Sequence, residues 1–284
     1  TIQGVCNSEL AYQISLPYAK DRLSMRSLSG KKFPDKVADP IIVHPDVRKM
    51  LLTQKSISEG GRAMIYYVGK MVDELDQCKN EKESKLIDDK LGFFTPILKG
   101  FLTEAGFEST NNGLQVFGGH GYIKEWGLEQ IVRDARIATL YEGTTGIQGL
   151  DLLGRKILLQ RGKPLKSFTR EILGFCKNHS VFSRDEHKRR MNKFIFPLVK
   201  AVFNWRRYSL MIALKARKNR DMVGSASVDY LMYSGYVTMA YFWAMMAQKA
   251  NEQIAKKPEN IEFYRAKVRT AEFYFRESEH SGKP

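Results

Sequence analysis

Residues 114–148 read LQVFGGHGYIKEWGLEQIVRDARIATLYEGTTGIQ, and the reading of this stretch decides the fold. Its first part, GGHGY from Gly118 to Tyr122, invites comparison with the glycine fingerprint of dinucleotide-binding α/β folds. That fingerprint needs a preceding strand, so that the glycines bring the opening of a helix to a pyrophosphate. Here Asn111 to Phe117 continues a helical pattern instead. The glycines therefore read as the end of a helix, where bare backbone can closely approach another group or simply make a tight turn. The second part sets one carboxylate, Glu142, between an apolar run ending at Leu140 and a string of small residues from Gly143. A charge so placed is either an exposed helix start, favoured by the helix dipole, or a functional group held in a tight, half-dry place.

Outward from this stretch almost everything reads as helix. Apolar residues recur at helical spacing from Ile2 to Met25, and SLSGKKFPDKVADP then reads as a connection rich in Gly, Pro and Lys. Pro45 suits the first position of a new helix. Along that helix Val47, Met50, Leu51, Met64, Tyr67, Val68, Met71 and Val72 fall on one stripe. After the charged gap DQCKNEKESK comes a second long helix that tolerates Pro96. Short helical stretches lead to Leu140, and a further helix follows Glu142 through IQGLDLLGRKILLQRG. A break near Gly162–Pro164 separates these from a basic segment and two last helices, around 228–255 and 259–277. Alternation of period two is nearly absent. The expected fold class is all-α, a helical bundle over 1–162 followed by a second helical region over 163–284.

Composition narrows the function classes. At 284 residues, 43% of them hydrophobic, the chain can bury a large core and is not a disordered segment. Cys6, Cys78 and Cys176 are far apart and odd in number, which points to a reducing compartment, the cytoplasm, without a CxxC zinc or redox motif. The His, Cys, Asp and Glu residues show no metal-ligand spacing. The run YLMYSGYVTMAYFWAMM, Tyr230 to Met246, is short for a membrane span and carries Ser234, Gly235 and Thr238, so it reads as a buried helix. The chain opens at Thr1 inside an apolar-periodic pattern, which suggests a fragment of something longer. The formal charge of +15 is concentrated: residues 161–220 hold seventeen Lys and Arg against three acids, and the remainder holds 29 against 28. Such a segment is either a solvated helical face or a contact for an anionic surface, whether nucleic acid, membrane or acidic partner.

Taken whole, residues 114–148 resemble the C-terminal helical domain of the acyl-CoA dehydrogenases. YAKDRLSMRSLSG and IIVHPDVRKMLLTQKSISEGGRA extend the match toward the start. The tail, with YLMYSGYVTMAYFWAMMAQKA and FYRAKVRTAEFYF, resembles the extra helical region of one branch, which includes the 3-methylmercaptopropionyl-CoA dehydrogenase-like enzymes. The resemblance covers nearly all of the chain but only about the second half of the family's architecture. An N-terminal helical domain and a central β-domain are the expected missing parts.

What the resemblance implies is an FAD enzyme that forms a trans-2-enoyl-CoA from an acyl-CoA thioester. Glu142, in YEGT, matches the base that removes the α-proton, and Tyr141 and Gly143 would flank the thioester. A thioester α-proton is weakly acidic, so such a base must be well placed and partly desolvated. Arg22 matches an arginine that reaches the FAD pyrophosphate of a neighbouring subunit, a partner suited to a guanidinium fork. Gln115, Gly118 and Gly119 match the element along the adenosine-diphosphate end of that FAD, and Thr144 matches a hydroxyl near the flavin. The chain departs from the family pattern at LSMRS, where Gln and Phe-Gly are common, and at Gly146, where a polar residue is common. His120 reads as a turn residue near the cofactor, and Arg133, Asp134 and Arg136 as an internal ion-pair network. The implied partners are an acyl-CoA substrate, an electron-transfer flavoprotein and further subunits of a homodimer or tetramer. Two other readings stay open: a DNA-associated flavoprotein resembling the alkylation-response protein, and a non-catalytic oligomerising remnant.

Overall fold

The computed structural model describes residues 1–179 and 190–280, and among them there is no strand, only an isolated bridge between Leu23 and Pro40. The chain runs through helix α1 (Ile2–Asp21), a 3₁₀ turn (Ile41–Val43), and the long helices α2 (Pro45–Gln77) and α3 (Glu81–Phe117). Short α4 (Gly119–Tyr122), a 3₁₀ turn (Lys124–Trp126) and α5 (Leu128–Ile137) follow. Then come α6 (Thr145–Leu150), continued as a π-helical segment (Asp151–Leu159), and α7 (Lys163–Asn178). The described chain closes with α8 (Asn192–Ala216), α9 (Asp221–Ala255) and α10 (Ile261–His280).

The all-α expectation holds, and so do several boundaries. Pro45 opens α2, where its missing N–H costs nothing. Pro96 lies inside α3 without ending it. The expected break at 162–164 has a backbone cause: Arg161 (φ 53) and Gly162 (φ 71) are both left-handed, and α7 begins immediately after them. The charged gap after α2 is shorter than expected, because α3 already restarts at Glu81, where Asn80 accepts from the N–H groups of Lys82 and Glu83. α1 ends at Asp21 rather than Met25, since Arg22 and Leu23 turn extended to meet Pro40 and Ile41. Val72 leaves the expected stripe and is exposed, while Val47, Leu51, Met64 and Met71 are buried.

Two compact units divide these elements, 1–59 with 102–141 and 60–101 with 142–284. In the first, α1 crosses the last turns of α3 at a point where a β-carbon on Gly4 would lie 2.3 Å from the Leu102 carbonyl oxygen. A small core of Ala19, Ile41, Val47, Leu51 and Val116 sits beneath α1. In the second, α9 is the central helix, with Leu231, Val237, Met239, Trp243, Ala244 and Ala247 fully buried. A β-carbon on Gly235 would meet the Phe101 ring at 2.1 Å, so the bare backbone of α9 packs there against a ring carried by α3. Glu171 on α7 ties three elements together, accepting from Tyr67 (2.7 Å), Lys90 (2.8 Å) and Tyr241 (3.4 Å). Among the described residues no helix is long and apolar enough to cross a membrane, and Tyr230–Met246 is a core helix.

Candidate active site

The first group of expected site residues lies in the first unit. Arg22 is fixed by its backbone: its N–H donates to the Tyr18 carbonyl at 2.8 Å, and its carbonyl accepts from the Ile41 N–H at 2.8 Å. Its side chain is exposed. The connection that follows is knotted around Asp39, a residue that sequence reading missed. The buried Asp39 carboxylate accepts from the N–H groups of Ser27 (3.0 Å), Lys32 (3.1 Å) and Phe33 (2.8 Å), and from the Arg26 guanidinium at 3.3 Å. The Ser27 N–H above all, with those of Phe33 and Lys32 and the charge of Arg26, holds the carboxyl below its ordinary value against the opposing effect of burial.

Arg22 borders a cavity of about 470 Å³ walled by Pro17, Tyr18, Phe117, His120 and Trp126. Tyr18 stacks on Phe117 (3.8 Å, 16°), and His120 stacks on Trp126 (5.3 Å, 10°). The Tyr18 hydroxyl lies 2.9 Å from His120 Nδ1. His120 is thus part of an aromatic wall beside Arg22, a placement that its spacing in the sequence does not show. Gln115 is exposed on the last turn of α3, and its carbonyl accepts from the Gly118 N–H at 3.0 Å. Gly118 has φ 60 and ψ −138, a region open in practice only to glycine. A β-carbon on Gly118 or Gly119 would meet nothing within 4 Å, so both glycines face open space. An exposed guanidinium, an exposed amide and two uncovered glycine backbones suit one edge of a nucleotide diphosphate. These residues fit the FAD edge that the resemblance implies.

Tyr141 also belongs to the first unit; its hydroxyl donates to the Gln3 side-chain oxygen and its ring is partly exposed. The expected network of Arg133, Asp134 and Arg136 does not form. Arg133 pairs with Glu129 at 3.0 Å, Asp134 accepts from Gln130 at 2.7 Å, and Arg136 donates to Thr139 at 2.8 Å. The reason is helical spacing, which brings each residue to partners three or four positions away on its own helix or its end.

The second group lies in the second unit, where Glu142 and Gly143 form a left-handed pair with φ 54 and φ 89. For a glutamate that conformation costs about 1–2 kcal/mol. Two side chains hold it. Lys99, only 8% exposed on α3, donates to the Gly143 carbonyl at 2.6 Å, and Gln148 of α6 donates to the Glu142 carbonyl at 3.2 Å. A β-carbon on Gly143 would lie 2.8 Å from Gln148 Nε2, so glycine also leaves room for that clamp. Thr144 caps α6, its hydroxyl accepting from the Ile147 N–H at 3.4 Å. The Glu142 side chain is exposed. The half-dry surroundings expected for it are therefore not supplied by the described residues. Lys99 and Gln148 were invisible to the sequence reading because their roles depend on contacts 44 and 6 positions away in the chain.

Comparison with known proteins agrees with this architecture. Residues 34–158 match the family described as "Acyl-CoA dehydrogenase, C-terminal domain", and residues 168–278 match "Acetyl-CoA dehydrogenase C-terminal like". The chain is 35% identical to the 3-methylmercaptopropionyl-CoA dehydrogenase of Ruegeria pomeroyi over 277 residues, 96% of this chain and 45% of that protein. It is 29% identical to the broad-specificity linear acyl-CoA dehydrogenase FadE5 of Mycobacterium tuberculosis, over the same shares of each. Among solved structures, an acyl-CoA dehydrogenase complexed with FAD from Bacillus anthracis superposes with a TM-score of 0.64 at 20% identity, covering 97% of this chain and 45% of that one. The chain belongs to the acyl-CoA dehydrogenase family, whose C-terminal helical part it represents. It spans about half the length of the curated relatives it matches.

Proposed function

We propose that the protein to which this chain belongs is an FAD-dependent acyl-CoA dehydrogenase, with Glu142 as the base that forms a trans-2-enoyl-CoA. The observation that carries this reading is the clamped left-handed turn, which holds a carboxylate outward at an energetic cost that folding alone does not require. Glu142 takes the α-proton onto its carboxylate while the Cα–H bond breaks, and the electron pair becomes the new double bond as a hydride leaves Cβ. Bound FAD supplies the acceptor for that hydride. Arg22, Gln115, Gly118 and Gly119 would hold the diphosphate end of a neighbouring subunit's FAD, and Thr144 would lie near the flavin. Tyr141 and Gly143 line the thioester side. Lys99 and Gln148 are positioning residues that fix the direction in which Glu142 leaves the backbone. Water exclusion around Glu142 then comes from the substrate or from parts of the assembly outside the described residues.

The same reading assigns a homodimer or tetramer, an electron-transfer flavoprotein as reoxidant, a cytoplasmic location, and a boundary between the two helical regions at 162–163. The names of the relatives favour it over a DNA-associated flavoprotein or an oligomerising remnant. The test is made on the full-length, flavin-loaded protein. An acyl-CoA should bleach the flavin absorbance, and Glu142→Gln should slow bleaching about 10²–10⁴-fold while flavin stays bound. Unchanged bleaching in Glu142→Gln would sink the assignment of the base.

A further inference from the structure

The candidate active site uses none of the positive charge gathered in residues 161–220. The described part of that segment helps to build a cavity of about 930 Å³ within the second unit, at the upper end of the size range of small-molecule sites. Its apolar lining comes from the end of the π-helical segment (Ile157), from α7 (Leu165) and from α8 (Leu210, Ala213). Four cations line it too: Arg161, Lys166, Arg206 and Arg217. No Asp or Glu lines it, and none of the four is in an ion pair among the described residues. The contrast with the rest of the same unit is direct, since Lys90 pairs with Glu171 at 2.8 Å and Lys193 pairs with Glu272. Arg206 is held in place, donating from Nε and Nη2 to Thr169 Oγ1 at 2.8 and 2.5 Å. Leu210 lines the same cavity yet is 61% exposed, an apolar surface left without cover.

Clustered like charges repel, and uncovered apolar surface is unfavourable in water, so one ligand that answers both has an anionic head and an apolar tail. The guanidinium forks of Arg161 and Arg217, the remaining N–H groups of Arg206 and the Lys166 ammonium suit a phosphate, which accepts several bidentate or point-charge contacts, better than a single carboxylate. A nucleic-acid strand fits less well, because the lining holds no aromatic ring on which a base could stack. We infer that this cavity binds a single-chain amphiphile with a phosphate head. The inference stands apart from the assignment of Glu142.

The test is calorimetric titration of the full-length protein with dodecyl phosphate below its micelle concentration. Saturable binding, weakened by salt, is expected, with laurate weaker and dodecyltrimethylammonium silent. The triple variant Arg161→Gln/Lys166→Gln/Arg217→Gln should bind at least about tenfold more weakly. Ala213→Trp keeps every charge but fills the cavity, and should also remove binding, with circular dichroism reporting that each variant is folded. Acyl-CoA turnover should be unchanged in Ala213→Trp. Equal binding of inorganic phosphate would overturn the proposal by removing the tail, and equal binding of dodecyltrimethylammonium by removing the head. Retained affinity in the folded Ala213→Trp variant would also overturn it, as would binding only to anionic vesicles. Concentration-dependent dimerisation without dodecyl phosphate binding would assign the cavity to a second copy of the chain instead.

Discussion

Glu142 occupies a backbone region that glycine would fill without strain, yet a glutamate stands there. Replacing it should therefore separate stability from chemistry. Glu142→Gly relieves about 1–2 kcal/mol of left-handed strain and gives back part of it through the freer unfolded chain. The melting temperature should stay the same or rise while turnover is lost. A clear fall in melting temperature would show that the carboxylate stabilises the fold. Lys99 makes the converse case. Lys99→Met preserves length and bulk but removes the donor to the Gly143 carbonyl. kcat should fall about tenfold or more with little change in KM, as expected when a base 1 Å out of place meets its substrate. An unchanged kcat would make Lys99 a packing residue only. The sequence made Glu142 and Gly143 legible through their motif, but it carried no sign of Lys99, because a lysine on a helix reads as solvated until a fold buries it.

Among the elements, helices were the legible part and the joints between them were not. Pro45, Pro96 and the glycine at 162 act through their own backbone, so their effect travels with the sequence. The connection at 22–44 is different, since Asp39 gathers partners from 26 to 33, and no local rule pairs them. That knot makes the connection acid-sensitive. Asp39 titrates below its ordinary value when folded, so it stabilises fully above the unfolded value of about 3.9. The contribution is lost as pH falls through the lower folded value. Asp39→Asn should flatten the acid limb of stability against pH in that range, measured by thermal melts. An acid limb identical to that of the unaltered protein would show that other carboxylates dominate. The basic segment was legible as a charge excess, while the cavity it borders required three elements, the π-helical segment, α7 and α8, to meet.

At the scale of the whole molecule, α2 and α3 each begin in one compact unit and end in the other, and the first unit is made of two separate stretches of chain. A break in either helix would cost the hydrogen bonds of about one turn, so the units are coupled through continuous backbone. Thermal unfolding followed by far-ultraviolet circular dichroism and by tryptophan fluorescence should give one coincident transition. Trp126 reports on the first unit, and Trp205 and Trp243 report on the second. Two separated transitions would show that the helices come apart near Gly60 or Phe101.

The interleaving also bears on inheritance. Because residues 102–141 return to the unit begun by 1–59, no single crossover point along the gene separates one unit from the other. Exchange between relatives that divided the chain inside 60–101 would pair α1 of one relative with the part of α3 it packs on from the other. Residues beyond 162 are no exception, since α7, α8, α9 and α10 all belong to the second unit, so the two units must pass between generations together.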